Sequence, residues 1–322
     1  MSHSVQFYVW QSLAPVFVLI AAGAMAARMA WITKATIGEL SNLVFFVFMP
    51  GLLFRTMSKA HWDALDFSPA VTYLGVVLSV FAALWWWRGR TVSAVTLALS
   101  SVFSNLVMIG VPLVTVSYGA QGLVTLLTLV SVHAMVLLTV GTVALEWARA
   151  GQQRLDGASQ RSLTLQLWSA ARSAVIHPVP IPILAGLAYS ATGWELPGVA
   201  DKSLQWLGAA AGPLALVMLG ASTYLRPMGG RWRGAVGVVL VKLVALPTLV
   251  LGVAWLAGLR GLPLTVLVVV ASLPMGANVF LFSQRYQACE DEVSAASSLS
   301  TVSAAVTVSA WMLLMGWLLQ AA

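Results

Sequence analysis

The sequence contains very little charge and only one cysteine. Charged residues make up 8% of the 322 residues, against 60% hydrophobic residues and a mean hydropathy of +0.90. Cys289 has no second cysteine to pair with, so an internal disulfide is excluded. A His-Glu-x-x-His motif, a Cys/His cluster and a Walker sequence are also missing, and we therefore expect neither an enzyme nor a cofactor. A composition as apolar as this is typical of a membrane protein.

Apolar stretches of about 20 residues, the length that spans a bilayer, recur along the whole chain. Backbone groups in lipid must find hydrogen-bond partners within their own segment, which favours helices. We therefore predict an all-α polytopic membrane protein with ten transmembrane helices. The predicted helices lie near 8–27, 35–57, 68–87, 94–118, 121–147, 171–192, 203–225, 234–258, 263–286 and 293–319.

Prolines recur in the two halves of the chain at a nearly constant spacing. Pro15, Pro50 and Pro112 are followed by Pro178, Pro213 and Pro274, at offsets of 163, 163 and 162 residues. This register predicts two five-helix repeats, 8–147 and 171–320, joined by a cytoplasmic loop at 148–170. Five is an odd number, so the second repeat begins on the other side of the membrane and is inverted. Inverted repeats with a broken helix in each half are typical of secondary transporters.

The distribution of Lys and Arg predicts the orientation in the membrane. The odd-numbered loops hold 12 of these residues and the even-numbered loops hold 4. Odd loops are therefore expected in the cytoplasm, with both termini in the periplasm and the chain in the inner membrane. The net charge of +7 follows mostly from this bias and requires no nucleic-acid partner. Basic loops also favour contact with anionic membrane lipid.

The fourth and ninth predicted helices carry the residues with the clearest functional pattern. The fourth contains Asn105, Gly110 and Pro112, and the ninth contains Pro274, Gly276 and Asn278. Proline breaks or kinks a helix, glycine allows close approach of backbone, and an Asn amide offers donors and an acceptor. Two such breaks crossing at mid-membrane present N–H groups and positive half-helix ends, which suit an anion. Either helix alone is explained by packing, but the pattern in both favours a substrate site with broken, crossing helices 4 and 9.

Two ionisable residues near the middle of predicted helices are candidates for a functional role. Lys242 is a costly intramembrane cation near mid-depth of the eighth helix. It attracts a substrate carboxylate, stands in for a metal cation, or pairs with carbonyl groups at the break, and the sequence leaves these roles open. His133, midway along the fifth helix, is a candidate proton site, although a histidine hydrogen-bonded inside the bundle is the commoner situation.

Metal coupling finds little support in the sequence. No acidic residue falls near the centre of a predicted helix, so we predict no metal site and no sodium coupling. The tenth helix carries a face of small polar residues that includes Ser297, Ser298 and Thr301. Close helix packing explains these hydroxyl groups adequately.

Several segments resemble the auxin efflux carrier family, including its bacterial members. They are Asn42–Phe54, Asn105–Pro112 followed by Tyr118-Gly119, Gly212–Leu216 with Gly220, Lys242 with Pro247, and Leu273-Pro274 with Arg285-Tyr286. The resemblance covers nearly the whole chain, but the large central hydrophilic loop of the long plant carriers is missing.

This resemblance implies a fold similar to that of bile-acid sodium symporters. Helices 1, 2, 6 and 7 would form a scaffold, and helices 3–5 and 8–10 a transport domain that moves in the manner of an elevator. Members of the family move organic anions such as auxin, malonate or malate, so we expect a small carboxylate as substrate. A sodium- or proton-coupled symporter of the bile-acid type is the alternative function, and a homodimer through the scaffold helices is left open.

Overall fold

The computed structural model describes residues 15, 18–59, 66–156, 180–225, 232–276 and 278–321. These residues are helical apart from short connections, and they contain no strand beyond one isolated bridge. The helices are α1 (Val18–Arg28), α2 (Lys34–Leu43), α3 (Met49–Ser58), α4 (Ser68–Trp87), α5 (Val92–Val102), α6 (Val111–Asp156), α7 (Pro180–Ala191), α8 (Gly198–Leu225), α9 (Trp232–Leu240), α10 (Leu246–Leu256), α11 (Gly261–Ala271), α12 (Asn278–Tyr286) and α13 (Glu290–Ala321).

Helices of membrane-spanning length and composition are plentiful in the described part of the chain. Five are long and apolar enough to cross a bilayer: 68–87, 106–151, 198–225, 232–256 and 290–318. Shorter apolar helices of 10–17 residues occur as well. The prediction of an all-α protein with apolar helices of this kind is confirmed.

The long helix α6 contains a kink at Gly119, whose φ of 63° and ψ of −157° are non-helical. A left-handed φ costs glycine little, because it has no Cβ. The kink falls between the predicted end of the fourth helix at residue 118 and the predicted start of the fifth helix at residue 121. Beyond it, α6 continues to Asp156, so the first part of the predicted loop 148–170 is helical. Residues 157–170 lie outside the described ranges, as does Pro178 of the proline repeat.

In the part of the chain that the structure describes, three π-helical turns lie just before prolines. The turns are Val44–Phe48, Leu106–Gly110 and Val241–Ala245, and each ends two residues before Pro50, Pro112 or Pro247. Proline has no N–H and its ring crowds the carbonyl four residues earlier, so a wider turn relieves the clash. The helices continue through these prolines instead of breaking at them.

The fourth and ninth predicted helices are each interrupted, and the break in the fourth does not lie at Pro112. The helix α5 ends at Val102 and the backbone is extended at Phe103, nine residues before Pro112. Pro112 itself lies within a continuous helix, because the π-helical turn before it accommodates the proline. In the ninth predicted helix, α11 ends at Ala271 and α12 begins at Asn278, so Pro274 does lie within the break.

Two helix crossings bring glycine into contact with backbone carbonyl groups. A Cβ added to Gly23 of α1 would lie 1.8 Å from the carbonyl oxygen of Val217 in α8. A Cβ added to Gly186 of α7 would lie 2.6 Å from the carbonyl oxygen of Phe54 in α3. Gly186 follows Gly23 by 163 residues, and Val217 follows Phe54 by 163 residues. In the first contact the glycine comes from the first half of the chain and the carbonyl from the second half, and in the second contact these roles are exchanged between equivalent positions.

Candidate functional site

The two helix breaks are joined by a pair of backbone hydrogen bonds. The Asn105 N–H donates to the Pro274 carbonyl at 3.0 Å, and the Gly276 N–H donates to the Phe103 carbonyl at 2.9 Å. Non-helical backbone at membrane depth is tolerated only where its polar groups find partners in the protein or line a cavity. Each break supplies partners that the other requires, so the two extended segments hold one another in place.

Close packing at this crossover depends on the two predicted glycines. A Cβ on Gly276 would lie 2.8 Å from the Phe103 ring, and a Cβ on Gly110 would lie 3.0 Å from the Leu273 side chain. The first distance is shorter than real Cβ contacts, and the second leaves very little room. Gly110 and Gly276 therefore shape the crossover, and neither lines the cavity described next.

A cavity of about 190 Å³ lies beside the crossover. The two breaks, the last turns of α8 and the early turns of α13 form its walls. The lining residues are Asn105, Met108, Leu219, Ser222, Thr223, Tyr224, Met275, Ser297, Ser298, Thr301 and Val302. A water molecule takes about 30 Å³ of liquid volume, so a small organic molecule fits. None of these lining side chains is charged.

Asn105 is the predicted substrate-binding residue that lines the cavity. Its Oδ1 accepts a hydrogen bond from the Met108 N–H at 3.2 Å and so caps the helical turn that begins at Leu106. Because the oxygen is engaged, the two hydrogens on Nδ2 are the donors that this side chain offers to a ligand. The N-terminal end of the following helix carries partial positive charge. This wall therefore suits a negatively charged group.

Hydroxyl groups supply most of the remaining polarity. Ser222 and Thr223 donate to the Leu219 carbonyl at 3.0 and 2.8 Å. Thr301 donates to the Ser297 carbonyl at 2.7 Å. Each hydroxyl in this state presents lone pairs to the cavity, and it can turn its proton towards a ligand only by releasing the carbonyl. The small polar face of the tenth predicted helix thus lines the cavity, in addition to any role in packing.

Lys242 is buried away from the cavity. Its side chain is fully covered, and Nζ donates to the Ala271 carbonyl at 2.6 Å. Ala271 is the last residue of α11, so the ammonium group caps the helix end that precedes the second break. The sequence left three roles open for Lys242, and the observed hydrogen bond matches one of them, pairing with a carbonyl group at the break. A role towards the substrate stays a prediction and would act through charge at a distance.

His133 lies behind the crossover and is 2% exposed. Its ring centroid is 5.0 Å from that of Phe103 and 5.7 Å from that of Tyr73. Neither ring nitrogen has a hydrogen-bond partner in the described part of the chain. The Tyr73 hydroxyl instead bonds the Ser104 hydroxyl at 2.9 Å. The hydrogen-bonded histidine favoured from sequence is therefore not observed, and its role as a proton site stays a prediction.

The other predicted residues are not among those that line the cavity. Pro274 is buried and its carbonyl belongs to the backbone bridge. Pro112 is buried in α6, with its Cα 3.7 Å from a Cβ position on Gly212 of α8. Asn278 is the first residue of α12. The structure thus brings one of the two predicted asparagines to the cavity.

Sequence reasoning missed the contribution of α8. Its last turns supply Leu219 and the consecutive polar residues Ser222, Thr223 and Tyr224. Three consecutive polar side chains at the end of an apolar helix were an available signal. Met108 and Met275 are apolar residues beside the breaks, and nothing in their sequence context distinguishes them from packing residues.

Comparison with known proteins assigns the chain to a family. The sequence profile of the family described as "Membrane transport protein" matches residues 8–312, and curated auxin efflux carriers are among the relatives. The chain belongs to the auxin efflux carrier family. As a member of this family with several apolar helices, it is a multi-pass membrane transport protein.

Three relatives illustrate the range of this family. The chain is 27% identical over 297 residues to the "Putative malonate transporter" of Rhizobium meliloti (strain 1021), covering 89% of this chain and 90% of that protein. It is 23% identical over 324 residues to auxin efflux carrier component 5 of Arabidopsis thaliana, covering 90% and 92%. With auxin efflux carrier component 3a of Oryza sativa subsp. japonica, it shares 31% identity over 147 residues, covering 43% and 23%.

Proposed function

We propose that this protein is a secondary transporter that carries a small organic anion, a mono- or dicarboxylate, across the inner membrane by a sodium-independent elevator mechanism. The observation that carries the proposal is the position of the cavity. One wall is formed by α8, which corresponds to a scaffold helix, and the other walls by the broken helices and α13, which correspond to the transport domain. A substrate held at this boundary can be carried past the scaffold when the transport domain moves.

The architecture proposed with this mechanism is ten transmembrane helices in two inverted repeats. The exchanged glycine contacts support it, because Gly23 on Val217 and Gly186 on Phe54 relate the halves at an offset of 163 residues. In this arrangement the scaffold comprises α1, α2 with α3, α7 and α8. The cation distribution supports cytoplasmic odd loops and periplasmic termini.

An uncharged cavity is compatible with an anion when oriented dipoles replace counter-charges. Here the Asn105 Nδ2 hydrogens and the positive helix end after the first break supply donors for one carboxylate. Hydroxyl groups on α8 and α13 lie across the cavity. The relative from Rhizobium meliloti bears malonate in its name, and a three-carbon dicarboxylate is a suitable first ligand for a cavity of about 190 Å³.

Transport of malonate into proteoliposomes is the primary test. An anion leaving the cell gains roughly 2.3 kcal/mol per charge per 100 mV of interior-negative potential, which sustains a gradient of about 50-fold. Uptake should therefore follow an imposed potassium-diffusion potential and be the same in sodium and choline media. Strict sodium dependence would contradict the mechanism and favour the symporter alternative. The proton-coupled form of that alternative assigns the proton to His133, for whose ring nitrogens the described residues supply no hydrogen-bond partner.

A substitution in the cavity tests the site. In Asn105→Ala, both the donors for substrate and the cap on Met108 are lost. Loss of a buried hydrogen-bond partner costs about 1–3 kcal/mol, so malonate binding should weaken roughly 5- to 150-fold. Asn42→Ala, at an exposed position outside the cavity, is the matched control and should bind as the wild type does. Equal malonate affinity in Asn105→Ala and Asn42→Ala would show that Asn105 does not bind the substrate. Asn278→Ala, outside the cavity wall, tests the second predicted asparagine separately.

A further inference from the structure

The C-terminal end of α11 is a site of concentrated negative dipole. The last carbonyl groups of a helix have no intrahelical donor and carry partial negative charge. In secondary transporters with broken helices, such half-helix ends coordinate the coupling cation. The end of α11 lies at the crossover itself. Its last residue, Ala271, is four residues before Met275, which forms the isolated bridge with Ser104.

Each of the last carbonyl groups of α11 has an identified partner. The Ser272 N–H donates to the carbonyls of Val268 and Val269, both at 3.1 Å, and the Leu273 N–H donates to that of Val270 at 3.4 Å. The carbonyl of Ala271 accepts instead from Lys242 Nζ at 2.6 Å. The final carbonyl of the half-helix is therefore satisfied by a cation supplied from another helix.

Among the residues that the structure describes, no carboxylate forms a salt bridge with Lys242. The salt bridges in the described part of the chain join Arg55 and Lys59 to Asp201, and Lys242 takes part in none of them. Lys242 is 0% exposed, so its ammonium group is also withdrawn from water. An isolated charge in such a place is costly. The compensation available in the structure is the negative end of α11.

The backbone that carries Lys242 is fixed in position. Lys242 lies in the π-helical turn Val241–Ala245 before Pro247. Pro247 has no N–H for the carbonyl of Leu243, and that carbonyl accepts a hydrogen bond from Trp311 Nε1 at 2.9 Å. This contact with α13 holds the turn beside the crossover. The lysine thus reaches the end of α11 from a braced segment.

We propose that Lys242 permanently occupies a cation-binding site at the C-terminal end of α11, so that its ammonium group replaces an exchangeable coupling cation. The site takes a small primary ammonium or alkali cation when the lysine side chain is removed. The second part of the inference rests on the proposed function: the fixed positive charge behind the crossover favours an anion in the cavity in front of it.

Thermal unfolding of the purified protein tests the site without any transported substrate. Lys242→Ala removes the atoms of propylammonium, so propylammonium is the matched probe. It should raise the melting temperature of Lys242→Ala by a few degrees in a saturable manner and leave the wild type unchanged. Propanol, which has the same length without charge, and tetramethylammonium, which has no N–H donor, should not do so. Sodium, lithium and potassium chlorides compared with choline chloride show whether an alkali cation enters as well.

Equal effects of propylammonium and propanol on a folded Lys242→Ala would overturn the cation site. If Lys242→Ala does not fold, Lys242→Met and Lys242→Arg decide the question, because Met keeps most of the apolar stem and Arg keeps the charge. The proposal expects folded Lys242→Arg to keep its malonate affinity and folded Lys242→Met to lose at least about fivefold, roughly 1 kcal/mol. Wild-type affinity in Lys242→Met would contradict it.

The two proposals can fail separately. If propylammonium rescues Lys242→Ala but the wild type neither binds nor transports malonate or other carboxylates, the cation site stands and the proposed function is wrong. If the wild type transports an anion and the rescue fails, the proposed function stands and Lys242 is a structural residue.

Discussion

The crossing of α1 and α8 leads to a quantitative prediction. A Cβ on Gly220 would lie 1.8 Å from the carbonyl oxygen of Ile20, and a Cβ on Gly23 would lie 1.8 Å from that of Val217. Ordinary contact begins at 3.4 Å, so each substitution to alanine overlaps by 1.6 Å. Both partners are backbone atoms and neither can rotate away. The two helices must therefore separate by about that distance.

This separation removes the close packing that holds membrane helices together in the absence of a hydrophobic driving force. A gap of only 0.5–1 Å already forfeits roughly a quarter to a half of the dispersion energy between facing atoms. Overpacking typically costs about 1–3 kcal/mol and occasionally more, and we expect Gly220→Ala and Gly23→Ala to lie at the upper end. The double variant should cost less than the sum of the two, because the first alanine already separates the helices.

Thermal unfolding in detergent and folded yield after size-exclusion chromatography measure these effects. Gly186→Ala, which overlaps the Phe54 carbonyl by 0.8 Å, should be destabilised by a smaller amount. Gly38→Ala is the control, since nothing lies within 4 Å of its Cβ position, and it should be neutral or slightly stabilising. Wild-type stability of Gly220→Ala would show that α1 and α8 do not cross at these glycines. Strictly additive costs would show that the two sites do not share one interface.

Two further predictions concern His133 and the orientation of the chain. His133→Phe removes two buried nitrogens for which the described residues supply no hydrogen-bond partner. It should keep or raise stability, by up to about 3 kcal/mol; a clear loss in thermal unfolding would reveal a partner for this ring. In the same variant malonate uptake should keep its pH dependence, whereas abolition of that dependence would support the proton-coupled alternative. On a Cys289→Ser background, a membrane-impermeant thiol reagent added to sealed cells should label Ser2→Cys but not Gly157→Cys, and the reverse pattern would invert the topology.

The sequence by itself determined the class of the protein and the approximate segments. An apolar composition with few charges leaves helices as the structure for a chain in lipid, and the described residues do form apolar helices. The boundary at Gly119 and the break around Pro274 were also predictable, because glycine and proline act through their own backbone chemistry.

Tertiary structure decided where the first break lies and what lines the cavity. Pro112 is a local sequence signal for a helix break, yet a π-helical turn accommodates this proline within a continuous helix. The break forms instead at Phe103–Asn105, because Pro274 and Gly276 supply hydrogen-bond partners there. Those partners are about 170 residues away in sequence, beyond the reach of any local pattern. The same holds for the contact of Lys242 with the end of α11. A charge or a hydroxyl can be located from sequence, but its role depends on which helix end or cavity the packing of distant helices places beside it.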